Sequence, residues 1–216
     1  MKYITSLKEF EYNTFFCHVK TVYEYTLLVL AVLEKMVISR NEHKISQGAY
    51  ILLDENALPN RIFIISKIKI ESFVFDFNIE LGGNEIPSIS VGQYLLSPEI
   101  ISCAKLITLQ FIRLDRNWIN ERDNDLNSEY SQVTLDASYY LIKHIIYSES
   151  SYLRYDYDPK HADGNKHPKH HLDINYSKDG SYKIGIISRA RTTDINFIMD
   201  LLSKESDCHM LQYNTL

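Results

Sequence analysis

With 216 residues, 45% of them hydrophobic and 24% charged, the chain has material for one well-buried domain and is too apolar to be disordered. A net charge of −5 argues against a broad basic footprint for nucleic acid. Only 7 glycines are present, with no G-x-G-x-x-G, G-x-x-x-x-G-K-[ST] or G-x-S-x-G, which removes the main support for dinucleotide, P-loop and hydrolase-elbow chemistry.

Cys17, Cys103 and Cys208 are odd in number, widely spaced and free of C-x-x-C, a pattern unlike a disulfide framework or a thiolate zinc site. A reducing, cytoplasmic setting is expected. The first residues show no basic segment followed by an apolar core, so no secretory signal is expected. The longest apolar stretch, residues 25–33 between Glu24 and Glu34, is well short of the about 20 residues that span a bilayer, so it is expected to be a buried helix rather than a membrane contact.

Along the chain, three- and four-residue spacing of Val19, Val22, Tyr23, Thr26, Leu30, Leu33 and Val37 predicts a helix over 15–38. A short strand follows at 49–53, between turn signals at Gln47-Gly48 and Leu58-Pro59-Asn60. Residues 62–81 read as β-structure, with Phe73, Phe75, Phe77 and Ile79 on a packed face and Ser72, Asp76, Asn78 and Glu80 on a wet one. Lys67 and Lys69 alternate there but are too few to form a nucleic-acid surface. Ser97-Pro98-Glu99 predicts a middle helix with a hydroxyl cap, a proline at its first position and an acid in its first turn. The polar segment 115–132 is expected to be exposed, and 136–147 to form a short helix.

The last third changes character. Residues 152–158, 170–176 and 182–187 alternate as strands, the last two joined by Asp179-Gly180, which predicts a three-stranded antiparallel meander. Thr192 or Thr193 caps a C-terminal helix with Ile195, Ile198, Met199 and Leu202 as its apolar stripe. The fold expected is α+β, a single domain over 1–216 with an antiparallel sheet packed by a long N-terminal, a middle and a C-terminal helix. Arg189 and Arg191 before that last helix could bind a phosphate with its N-terminus, and Cys208-His209 near the tail could form a metal pair, but a solvated connector and a flexible terminus are the commoner readings.

Four of the eight histidines, His161, His167, His170 and His171, fall within eleven residues and interleave with Asp156, Asp158, Asp163 and Asp173. The period of two places Arg154, Asp156 and Asp158 on one face of their strand, and His171 and Asp173 on one face of the next. If residues 159–169 loop back, these five converge across neighbouring strands. Carboxylates with imidazole bind divalent ions, which acidify water and stabilise charge on a phosphoryl oxygen. Without metal, a histidine serves as base while Arg154 neutralises a developing anion. Arg154, Asp156, Asp158, His171 and Asp173 are therefore the candidate catalytic residues, and His161, His167 and His170 the candidate metal ligands. The bland counterpart is an Arg154 ion pair on a solvated face with exposed loop histidines. H-P-K-H-H is not a standard zinc motif, and the R-x-x-x-x-x-x-H spacing of Arg154 and His161 needs a helix that Asp158-Pro159 breaks.

The runs S-Y-L-R-Y-D-Y-D-P (151–159) and H-P-K-H-H-L-D-I-N (167–175) resemble a family of uncharacterised bacterial proteins marked by an aromatic-R-Y-D-Y-D-P strand, a short loop and H-P-x-x-H-L-H-I. The resemblance covers about 150–205. Asp173 replaces the second histidine, and Lys183-Ile184-Gly185 stands where an R-I-P-like run is expected. The family's frequent place near mobile-element or phage-defence genes implies a toxin, nuclease or defence effector. The leading expectation is a phosphodiester-handling, nuclease-like enzyme with a divalent metal, acting on nucleic acid or nucleotide. The rival is a non-catalytic binding or assembly component, in which a tyrosine-rich surface (16 tyrosines) meets a protein partner or a second copy. The enzyme reading requires these five side chains to converge in a concave site, and it fails if Arg154 and His171 point to opposite faces of the sheet.

Overall fold

The computed structural model describes residues 2–42, 48–54, 60–82, 85–114, 129–164, 166–176 and 182–185. The Asp179-Gly180 turn, the C-terminal helix with its Thr192 and Thr193, Arg189, Arg191, Cys208-His209 and most of the polar 115–132 segment lie outside them.

The described elements are mixed α+β. In chain order they are β1 (Lys2–Leu7), a 3-10 turn (Glu9–Glu11), α1 (Tyr12–Phe15), α2 (Val22–Ile38), β2 (Ala49–Asp54), β3 (Arg61–Ile65) and β4 (Lys69–Val74). Then come β5 (Asn78–Glu80), β6 (Ser88–Val91), β7 (Tyr94–Leu95), α3 (Pro98–Leu114), α4 (Gln132–Tyr147), β8 (Leu153–Tyr157), β9 (His170–Ile174) and β10 (Tyr182–Gly185). The main sheet is antiparallel throughout, in the order β1-β2-β3-β4-β8-β9-β10, and β5-β6-β7 form a second small sheet. The expected meander is β8-β9-β10. No helix among the described residues is long and apolar enough to cross a membrane.

The helix expected over 15–38 is two helices with a break at 16–21. Two local interactions cause it. Thr21 forms a reciprocal cap with Glu24, its Oγ1 accepting from the Glu24 N–H (3.2 Å) while Glu24 Oε2 accepts from the Thr21 N–H (2.9 Å). Before it, Lys69 Nζ donates to the carbonyls of Phe16 (2.9 Å) and Cys17 (3.3 Å), groups that a continuous helix would use itself. The middle helix is capped as expected, Ser97 Oγ accepting from the Ile100 N–H. α4 begins before residue 136, because Ser131 Oγ accepts from the Thr134 N–H.

Residues 62–81 do not make one run. Ser66 Oγ accepts from the Lys69 N–H at 3.0 Å and turns the chain between β3 and β4, while β5 belongs to the other sheet. Ser72, expected on a wet face, is fully buried and accepts from Arg61 Nε at 3.0 Å. One face of the main sheet carries Ile62, Ile64 and Phe73 into a core with Tyr25, Leu28, Val32, Ile101, Ile107, Leu141 and Ile145 of α2, α3 and α4. The opposite face carries a smaller cluster of Leu52, Phe63, Ile65, Ile70, Tyr155 and Leu172. Leaving an aliphatic residue exposed instead of buried would cost about 1.5–3 kcal/mol per side chain, so burial fixes strand register more firmly than any single polar contact.

Candidate functional site

The register sets polar residues in two cross-strand rows on the helix-covered face. Glu71, Arg154 and Asp173 form one row, and Lys69, Asp156 and His171 the next. Cβ atoms in such rows stand about 5 Å apart, close enough for charged side chains to meet.

Arg154 is the centre of the set. Its Nε donates to Asp156 Oδ2 at 2.7 Å, its Nη2 to Asp173 Oδ2, and its Nη1 to His18 Nδ1 at 3.0 Å. Burial pulls the guanidinium toward deprotonation, and the carboxylates of Asp156 and Asp173 outweigh it, holding the group above its usual range. His171 donates from Nδ1 to the Pro168 carbonyl at 2.9 Å. A carbonyl only accepts, so Nδ1 carries a proton in this bond, and Nε2 is the ring nitrogen that faces Asp156, whose Oδ2 is 3.7 Å away. Asp156, His171 and Asp173 each bring one ligand atom within 4.8 Å of the others.

The face is not the solvated strip that strand alternation suggests. Arg154, His171 and Asp173 are buried, and Asp156 is partly covered. The charges make that burial tolerable because each acid has a cation or imidazole beside it. Behind them Glu71 is wholly buried, with Lys69 Nζ 2.7 Å from Oε1 and the Tyr152 hydroxyl donating to Oε2 at 3.1 Å. Burial raises the Glu71 carboxyl, opposed by Lys69, Tyr152 and Arg154. Lys69, which with Lys67 is too little for a nucleic-acid surface, is the half-buried ion-pair partner of Glu71.

Of the eight candidate residues, Arg154, Asp156, His171 and Asp173 converge. Three others do not join them. Asp158 lies beyond the end of β8 and binds the exposed His161, with His161 Nδ1 2.9 Å from Oδ2; that hydrogen bond holds Asp158 below its usual range. Both residues are held by a local i,i+3 contact that keeps them at the surface. His170 faces the opposite side of the sheet, 2.8 Å from the Tyr155 hydroxyl and stacked on Tyr157, because it alternates with His171. His167 is adjacent to the centre, its ring packed edge-on against His171 at 4.8 Å, and is not among the three converging ligand groups.

Sequence reading missed His18, Glu71 and Lys69. His18 is 136 residues from Arg154 and comes from a segment read as helix, so no local pattern signals it. Glu71 and Lys69 alternate on a strand like ordinary surface charges. The clefts of about 160 Å³ at Val74, Asp76, Glu149 and Ser151, and of about 210 Å³ beside Phe10 and Lys35, are both built from other residues. Comparison of the chain with protein-family models, curated proteins and solved structures finds no match.

Proposed function

We propose that the chain is a phosphodiester-handling, nuclease-like enzyme in which Asp156, His171 and Asp173 hold a divalent cation and Arg154 stabilises anionic charge. The bacterial defence or toxin setting is the one that the resemblance of residues 150–205 implies. One observation carries the reading: two carboxylates and an imidazole bring ligand atoms within 4.8 Å of one another. His171 adds to it, since an imidazole whose far nitrogen is tied to a carbonyl is oriented as metal-bound histidines are. Two carboxylates with one imidazole suit Mg²⁺ or Mn²⁺, and Zn²⁺ less selectively. Such an ion supplies a nucleophilic water at neutral pH and neutralises phosphoryl oxygens.

The test joins binding with turnover. Mn²⁺ should raise the thermal midpoint of the wild type and not that of Asp156→Ala, and should support cleavage of bis(p-nitrophenyl) phosphate or single-stranded nucleic acid. Absence of both effects with Mn²⁺, Mg²⁺ and Zn²⁺ overturns the reading.

The second reading is a non-catalytic binding or assembly component. It is favoured by the way Nε, Nη1 and Nη2 of Arg154 each already have a protein acceptor, as in a structural lock between the sheet and the 16–20 segment. On that reading Asp156→Ala changes stability alone.

A further inference from the structure

We infer that His18 is the substrate-contacting residue of this centre, offering its Nε2–H to an oxygen of an anionic phosphoryl group on the solvent side of Arg154. The inference rests on the reading that the centre handles phosphate esters.

Four observations support it. His18 is held in place: Lys69 Nζ binds the two carbonyls that precede it, and the Thr21–Glu24 cap fixes the chain that follows. Its tautomer is set by its neighbour. A guanidinium can only donate, so Nδ1 accepts from Arg154 Nη1 at 3.0 Å and the ring proton resides on Nε2. His18 is also exposed, whereas Arg154, His171 and Asp173 are buried, so an approaching ligand meets the imidazole before the groups beneath it.

Charge completes the case. Partial burial and then Arg154, Lys20 and Lys69 lower the His18 pKa, with Asp156 as the opposing carboxylate, so the ring is uncharged at neutral pH and keeps Nδ1 as an acceptor. Arg154 and Lys69 are offset by the carboxylates they bind, so what suits this donor to an anion is the exposed Lys20 nearby and the fixed N–H, which aligns the ligand without reorganisation. Phosphoryl oxygens are acceptors of that kind.

The experiment titrates inorganic phosphate into the full chain and follows the histidine rings by long-range ¹H–¹⁵N NMR, for wild type, His18→Ala and His18→Gln. The His18 Nε2 resonance should move on addition of phosphate. Affinity should weaken about tenfold or more in His18→Ala, the scale of one hydrogen bond to a charged group. It should stay within about threefold in His18→Gln, whose amide can accept from Arg154 and donate outward. An unmoved His18 resonance in the wild type, or equal affinity in His18→Ala, overturns the inference. Mn²⁺ binding and bis(p-nitrophenyl) phosphate cleavage are measured in parallel. Phosphate contact at His18 without either of them overturns the enzyme reading and leaves the His18 contact standing. Metal-dependent cleavage that His18→Ala does not alter, with no phosphate contact at His18, does the reverse.

Discussion

Lys69 and Glu71, two residues apart on one face of β4, place an ammonium nitrogen 2.7 Å from a carboxylate oxygen that is wholly shielded from solvent. The same ammonium binds the Phe16 and Cys17 carbonyls, so it joins the sheet to the segment that carries His18. Removing one member of a buried pair leaves an uncompensated charge, which typically costs about 3–5 kcal/mol. Lys69→Met should lose stability on that scale in urea unfolding at neutral pH. Adding Glu71→Gln to Lys69→Met should recover part of the loss, since the orphaned charge is then gone. A double variant at least as unstable as the sum of the singles would show that the two residues act separately.

Stability should also depend on pH through Glu71. Burial raises its folded-state pKa above the unfolded value, so the protonated form is favoured by folding. The resulting stabilisation is complete below the ordinary carboxylate pKa and is lost as pH rises through the elevated one. Glu71→Gln has no proton to lose. Its stability relative to wild type should therefore improve as pH rises above the ordinary carboxylate range, measured by urea unfolding at each pH. A difference that stays flat or moves the other way would mean that Lys69 and Tyr152 outweigh the burial.

The parts legible from sequence were those with a local cause. Alternation at 152–158 and 170–176 put Arg154, Asp156, His171 and Asp173 on shared faces, and the register brought them together. The Ser97-Pro98-Glu99 cap likewise specified a helix start. What escaped had a non-local cause. Residues 16–20 carry a helical pattern, yet the carbonyls of Phe16 and Cys17 go to a lysine more than fifty residues away, and this is what brings His18 to Arg154. The polar face looked solvated because alternation gives no information about what covers a strand. The clustering of four histidines was informative about place and misleading about membership, because His170 and His171 are adjacent and so must point to opposite sides of the sheet.

That division can be measured. His171→Ala should abolish Mn²⁺ stabilisation, whereas His170→Ala and His161→Ala should leave the Mn²⁺-induced shift in midpoint unchanged. Tyr155→Phe removes the hydroxyl 2.8 Å from His170 Nδ1 and should cost about 1–3 kcal/mol without altering the metal response. A metal response lost in His170→Ala and kept in His171→Ala would reverse the assignment of faces.

At the other end of the sheet, β1 is an edge strand whose outward groups at Ile4 and the Ser6 N–H are already occupied. Asn41 Oδ1 accepts from the Ile4 N–H and Glu42 Oε1 from the Ser6 N–H, both at 2.9 Å, while the Glu42 N–H donates to the Ile4 carbonyl at 2.8 Å. An uncovered edge is a template for pairing with another chain. Asn41→Ala with Glu42→Ala should therefore promote self-association, read as a concentration-dependent rise in mass by light scattering, and should cost about 1 kcal/mol for each lost hydrogen bond. A double variant that stays as dispersed as wild type would show that the edge is protected by something other than these side chains.

Gly185 gives the most specific test of how the centre is held. It lies opposite His171 in the β9–β10 register, and a Cβ built there would stand 2.9 Å from Pro168 Cγ and 3.3 Å from its Cβ. The restriction is steric, since the proline ring rests directly on the glycine. Pro168 supplies the carbonyl that binds His171 Nδ1, so a methyl group at position 185 pushes on a contact that orients the imidazole. Overpacking of this kind costs about 1–3 kcal/mol, and loss of an orienting partner weakens metal affinity by about 10–100-fold. Gly185→Ala should thus remain folded while binding Mn²⁺ at least about tenfold more weakly in calorimetric titration, although no proposed ligand has been altered. Unchanged affinity would mean that His171 does not need Pro168 to face Asp156, and the orientation argument for the centre would fail with it.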